Sequence, residues 1–169
     1  MANNYGVVHT SKIFGRCYSF VHTADVENGY LVSKGELATG EREIYQAGLD
    51  TSAPAYLVAN PAWLYETATY AQRNDEAQFI NVANKAFRVY ELMANDRFEV
   101  SGAAIDGSDI AVGDAVGMSA TGKITKDATS AFKGKVIAIT ETGFNYNVGS
   151  AGQVDTSNKF YLIEVVANA

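Results

Sequence analysis

Two histidines, one cysteine, a spaced set of three aspartates and a group of four lysines are the residues whose types could carry chemistry. Nucleophilic catalysis needs a Ser, Cys or Thr beside a base that a third group orients. His9 and His22 both fall in the first stretch of the chain, away from any rigid scaffold, and no GxSxG elbow occurs. Cys17 sits between Arg16 and Tyr18, and a neighbouring cation favours a thiolate; no third group can be named, so a structural thiol is the expectation. Asp106, Asp109 and Asp114 in IDGSDIAVGD suggest a calcium loop, but they miss the DxDxDG register and no Glu closes the loop. Aspartates beside Gly are turn formers, and that is the expected role here. One Cys and two His are too few soft ligands for zinc. GxGxxG is absent and TGKIT lacks the P-loop spacing, so no phosphate cradle is expected. Lys123, Lys126, Lys133 and Lys135 are read as a solvated strand edge. The expectation is therefore a protein that is not an enzyme, with no catalytic residue, no cofactor and no metal.

The elements that would position any site read as short strands. From Ile105 to Ile139 the chain alternates Val, Ile, Thr and Ala with Gly107, Gly113, Gly117, Gly122 and Gly134, a pattern of strands broken by tight turns. Earlier, Asn28-Gly29 and Lys34-Gly35 bracket a short strand at Tyr30 to Val32; Ile44 and Tyr45 mark a second, and Ala55 to Ala59 a third, ended by Asn60-Pro61. The segment 75–95 fits one helical face as well as a strand pattern; a loop or short helix before Ala83 and a strand from Ala86 to Leu92 is the preferred reading, with helix throughout the competitor. Phe98 to Ser101 alternates, 142–157 reads as a loop, and FYLIEVVA from Phe160 to Ala167 is apolar enough for a central strand. The fold class expected is mainly β, a compact antiparallel barrel or sandwich with at most one or two short helices.

At 169 residues the chain fits one domain. The boundaries read are an extended N-terminal arm over 1–24 and a single β-rich domain over 25–169, with an inserted segment around 61–85. The arm carries Lys12 and Arg16 and no acidic residue up to His22, so it holds +2 of a formal charge of −6 and the remainder holds −8. Such a balance disfavours nucleic acid as partner. It suggests docking of a basic, aromatic arm onto an acidic protein surface, unless two charges in that length are accidental. Gly6 and Gly15 interrupt any helix in the arm, and its free aromatic rings should lie on its own body or on a neighbour. No signal peptide and no apolar run of about 18 residues is present, so no membrane span is expected. Trp63 beside Leu64 and Tyr65 is either ordinary core or a partner-facing anchor.

Taken in order, ADVENGYLVSKGEL, EREIYQAG, AYLVANPAWLYET, KAFRVYELMANDRFEVS, AVGDAVGMSATGKITK, GKVIAI and FYLIEVV resemble the small head decoration, or cement, proteins of tailed bacteriophages. The chain is longer than the compact lambda-type proteins, with an added central segment. The resemblance implies a β-tulip-like body without catalytic residues, made in the bacterial host cytoplasm and carried on the capsid exterior of the virion. Its partner would be the major capsid protein, which it would bind as a homo-oligomer, a trimer by analogy, stabilising contacts between capsomers. The expected capsid or subunit interface is Tyr5, Lys12, Phe14, Arg16, Tyr18 and Phe20, with Trp63 and Tyr65. On that reading, removing the residues up to His22 leaves a folded body that no longer binds shells. A competing expectation is a carbohydrate-binding or host-adhesion module that contacts glycans through exposed Tyr and Trp63. A further one is a small hydrolase using a pair among the three aspartates.

Overall fold

The computed structural model of the chain describes residues 5–62, 76–107, 109–126, 129–141 and 159–169. They form a mainly β molecule of twelve strands: β1 Val8–Lys12, β2 Cys17–Val21, β3 Leu31–Leu37, β4 Ile44–Gly48, β5 Ala55–Val58, β6 Phe87–Glu91, β7 Arg97–Ser101, β8 Ile105–Asp106, β9 Ala115–Met118, β10 Ile124–Lys126, β11 Phe132–Glu141 and β12 Lys159–Asn168. Single 3-10 turns at Glu76–Gln78 and Gly102–Ala104 are the helical elements among the described residues. None of the described helices is long and apolar enough to cross a membrane.

Strands β2, β4, β3, β5 and β6 close into a five-stranded barrel, and β1, β7, β12, β11, β9, β10 and β8 form a seven-stranded sheet in that order. Most pairs are antiparallel, as expected, but β2 runs parallel to β4 and β10 parallel to β8. The barrel interior is filled by Phe20, Val32, Val58, Phe87 and Val89. Residues alternating with these, Leu31 and Leu57, point the other way and join Phe98, Val100, Phe132 and Ile163 in the core beneath the sheet. Strands β3 and β5 are thus covered on both sides where barrel and sheet meet. That explains why Leu31, Val32 and Ser33 are all buried in succession. Along β11 the buried Phe132, Gly134 and Val136 alternate with exposed Lys133 and Lys135, the pattern of a sheet with one face on the core.

Turn chemistry explains several of the boundaries. Gly107, Gly113 and Gly122 have φ of 106°, 96° and 82°, the left-handed conformation expected of them. Gly117 and Gly134 instead lie inside β9 and β11, and a Cβ on Gly134 would sit 2.8 Å from Ile163 Cγ2. Lys34-Gly35 is not a turn. Strand β3 continues to Leu37, and its register against β4 shifts between Lys34 and Leu37, so the pair marks a bulge. Over 75–95 the helical alternative gives way to one 3-10 turn and strand β6, because Phe87 and Val89 enter the barrel core. Strand β12 is central as expected, flanked by β7 and β11.

The arm over 1–24 is the main departure. Its described residues, from Tyr5 on, lie on their own body, yet they are built into both sheets: Val8 pairs with Val100 in the sheet, and Cys17 pairs with Tyr90 in the barrel. Phe20 is completely buried. Removing the residues up to His22 would take one of five strands from the barrel and Phe20 from its core, a side chain whose truncation to Ala alone costs about 3–5 kcal/mol. The expectation of a folded body after that truncation is therefore overturned. Of the inserted segment around 61–85, residues 63–75 lie outside the described residues, as does the loop expected over 142–157.

Candidate functional site

The chain passes between sheet and barrel twice, through residues 13–16 and 92–96, and the two connectors are pinned to each other. Asp96 is 2% exposed. Its carboxylate accepts the backbone N–H of Phe14 at 3.2 Å through Oδ1 and that of Met93 at 2.9 Å through Oδ2. The backbone of Asn95-Asp96 exchanges hydrogen bonds with the last strand: Val165 N–H donates to Asp96 O and Asn95 N–H to Val165 O, both at 2.9 Å. Gly15 packs against the end of β6 so closely that a Cβ would collide with the Glu91 carbonyl. Glu91 N–H donates to Arg16 O at 2.8 Å. A single buried carboxylate thus pins the two connectors to each other, the task for which an acceptor-only group with two oxygens is suited, while the backbone beside it ties in the last strand.

The side chains above this pin face solvent. Phe14 is 84% exposed, Val166 58% and Met93 54%. Lys12 and Arg16 flank Phe14 in sequence, are exposed, and make no ion pair among the described residues. The result is an aromatic knob on a fixed backbone with a cation on each side. An exposed phenylalanine on an immobile backbone loses little freedom when it is buried by a partner.

A second feature lies at one end of the barrel. Tyr18, Tyr45 and Tyr56 stand on β2, β4 and β5 above Phe20. Tyr18 meets Tyr56 edge-on at 5.6 Å and Tyr45 at 6.3 Å, and Phe20 lies 5.2 Å from Tyr56. Lys34 Nζ sits 3.9 Å from the centre of the Tyr45 ring and 4.9 Å from that of Tyr18, a cation–π arrangement. Burial, then the charges of Glu91, Tyr18 and Tyr45, push the Tyr56 phenol up from its ordinary range. Beside this mouth is a cleft of 320 Å³ lined by Cys17, Tyr18, Ser19, Arg42, Glu43 and Tyr45.

The residues singled out from sequence are distributed as follows. Phe14, Lys12 and Arg16 form the knob. Tyr5 is half-buried, its N–H donating to Ala77 O at 2.8 Å. Tyr18 belongs to the barrel mouth, and Phe20 to the core, where no partner can reach it without opening the barrel. Trp63 and Tyr65 lie outside the described residues. Cys17 is exposed. His9 pairs with Glu99 at 2.8 Å and stacks on Phe160, while His22 bonds locally to Ala24. Asp114 acts in a turn, accepting Ala111 N–H at 2.8 Å, and also pairs with Lys126 at 2.9 Å. Lys133 and Lys135 lie on β11, inside the sheet rather than at an edge, so the lysine group is a solvated face. No group of three or more His, Cys, Asp or Glu placed to hold a metal ion occurs among the described residues.

Sequence reasoning missed Met93, Asp96 and Val166 at the knob, and Lys34, Tyr45 and Tyr56 at the barrel mouth. Asn95-Asp96 does read as a turn, which locates Asp96, but its partners Phe14 and Val165 come from two distant segments. Comparison with known proteins returned no matching family model, no matching curated protein and no matching solved structure.

Proposed function

We propose that the chain is a non-enzymatic structural protein of a tailed-phage virion, which binds the outer surface of the capsid and stabilises contacts between capsomers. The observation that carries this reading is the knob: Phe14, 84% exposed on a backbone held by Asp96, between Lys12 and Arg16 on a chain of net charge −6. The resemblance of the strand-and-turn segments to capsid decoration proteins supports it. Burying a phenylalanine contributes about 1.5–3 kcal/mol, and flanking cations steer the encounter toward an acidic surface. Repetition of such a contact over a symmetric shell, with the protein acting as a homo-oligomer such as a trimer, multiplies a modest affinity. Binding that favours the assembled shell over free subunits stabilises it by mass action.

Co-sedimentation with shells of the co-encoded major capsid protein tests the reading, with electron cryo-microscopy giving position and stoichiometry. Phe14→Asp is expected to weaken shell binding by about 2 kcal/mol, roughly thirtyfold, while leaving thermal unfolding of the free protein unchanged. Lys12→Glu with Arg16→Glu should slow association and flatten its salt dependence. Full occupancy of shells by the Phe14→Asp variant would exclude the knob as the docking element. Absence of wild-type binding to any shell would exclude the function.

A further inference from the structure

The barrel mouth has features that neither the core nor the knob requires. Three tyrosine rings from three strands converge there, held by edge contacts and by the Lys34 ammonium. Among the described residues, the hydroxyls of Tyr18, Tyr45 and Tyr56 have no hydrogen-bond partner. The adjoining cleft brings Ser19, Arg42 and Glu43 beside Tyr18 and Tyr45. Arg42 and Glu43 form no ion pair with a described residue. The volume of 320 Å³ falls at the small end of the range of about 300–1,000 Å³ in which small-molecule sites occur.

The charges narrow the class of ligand. Lys34 and Arg42 supply two cations, and Glu43 and Glu91 two carboxylates, so the site has no net charge with which to select an ion. An anion would meet Glu43 in the cleft. A cationic ligand would meet the Lys34 ammonium, 3.9 Å from the centre of the Tyr45 ring and 4.9 Å from that of Tyr18, and be repelled by it. What remains available is a set of groups that both donate and accept, together with aromatic carbon. A neutral polyhydroxylated ring uses both: its hydroxyls need mixed donors and acceptors, and its C–H face needs apolar cover.

We propose that the barrel mouth and its cleft form a binding site for a neutral saccharide, with the rings of Tyr18 and Tyr45 as aromatic cover and their phenol hydroxyls, together with Arg42, Glu43 and Ser19, as hydrogen-bond partners of the sugar hydroxyls. The site stands on the barrel's geometry and does not rest on the capsid reading. It places glycan contact on β2, β4 and the segment leading into β4 instead of at Trp63.

The full-length protein is to be tested on an array of neutral saccharides, with saturation-transfer NMR on the free sugars that respond. Inorganic phosphate and tetramethylammonium serve as charged probes. At least one neutral saccharide is expected to bind. Tyr18→Phe combined with Tyr45→Phe keeps both rings, and hence the barrel packing, but removes two hydroxyls. Binding should fall about tenfold in that variant and similarly in Arg42→Ala, with thermal unfolding confirming that each is folded. Phe14→Asp should leave saccharide binding unchanged, which separates this site from shell docking. The proposal is overturned if no neutral saccharide binds, if the folded variants bind as well as wild type, or if phosphate or tetramethylammonium is preferred.

Discussion

Asn168 is where the last strand is tied to the barrel, and its replacement by alanine offers a quantitative test of how the two sheets are joined. Its side-chain Oδ1 accepts the N–H of Ala55 at 2.7 Å, and its Nδ2 donates to the carbonyls of Ala55 at 2.9 Å and Leu92 at 3.0 Å. Three bonds of this kind contribute about 1 kcal/mol each, and leaving the donor of fully buried Ala55 unmade adds a desolvation cost. Water can reach the partly exposed Asn168 site and recover some of this. The expected loss for Asn168→Ala is therefore about 2–3 kcal/mol, equivalent to a fall in Tm of roughly 5–10 °C for a domain of this size. Urea unfolding monitored by tyrosine fluorescence and by circular dichroism should show a lower midpoint with an unchanged slope. Asn168→Asp keeps an acceptor for Ala55 N–H but sets a carboxylate against two carbonyls. It should be worse than alanine at neutral pH and recover on acidification. A loss below about 0.5 kcal/mol for Asn168→Ala, the range of an inconsequential surface change, would show that the side chain does not hold the junction.

Other expectations follow from the same kind of reasoning. Gly122→Ala should destabilise more than Gly40→Ala in chemical denaturation: both glycines have positive φ, 82° and 81°, but a Cβ at Gly122 would also meet Leu31 O at 2.9 Å whereas Gly40 faces open space. The second should cost only the left-handed penalty of about 1–2 kcal/mol. Asp114 has its carboxyl held below the ordinary 3.8 by the Ala111 N–H and then by Lys126. Its contribution is present above that value and lost as pH falls through its lowered folded pKa, so Asp114→Asn should flatten the acid limb of a stability–pH curve. Burial raises the phenols of Tyr30 and Tyr56 above 10.0. Their contribution is intact below that pH and lost as pH rises through the folded values, so ultraviolet titration should show two tyrosines ionising late and together with alkaline unfolding.

What could be read from the sequence depended on how local the cause was. Ala55 to Ala59 and Phe160 to Ala167 announce themselves because β-branched and aromatic residues fill a strand that is covered by the core. The left-handed glycines at 107, 113 and 122 are equally local. The N-terminal segment was opaque because its partners are remote: Val8 pairs with Val100 and Cys17 with Tyr90, and no periodicity in five residues reports that. Gly15 looks like a helix breaker, yet its role is to let one backbone cross another at Glu91. Lys34-Gly35 has the composition of a turn and forms a bulge, since the register of β3 is set by β4 and β5 together. At the knob, the exposed Phe14 and its cations are visible in sequence, whereas Asp96 gains its meaning only from the three segments that meet on it. The closure of the barrel through a parallel pairing of β2 with β4 has no sequence signal of its own.

The barrel is continuous in the chain, from β2 to β6, while the seven-stranded sheet is assembled from β1 and then from β7 onward. Once the barrel closes, Cys17 lies against Tyr90, so the ends leading to β1 and β7 emerge side by side. The loop that would separate these strands in an unfolded chain has then been shortened to two connectors, and its closure entropy has already been met. During synthesis, the barrel can therefore form first and act as a jig that sets the β1–β7 register. The sheet must still wait for β12, which fills the gap between β7 and β11. Until that strand arrives, β7 and β11 are unpaired edges carrying Phe98, Val100 and Val136, and this interval is when the nascent chain is most open to misassociation.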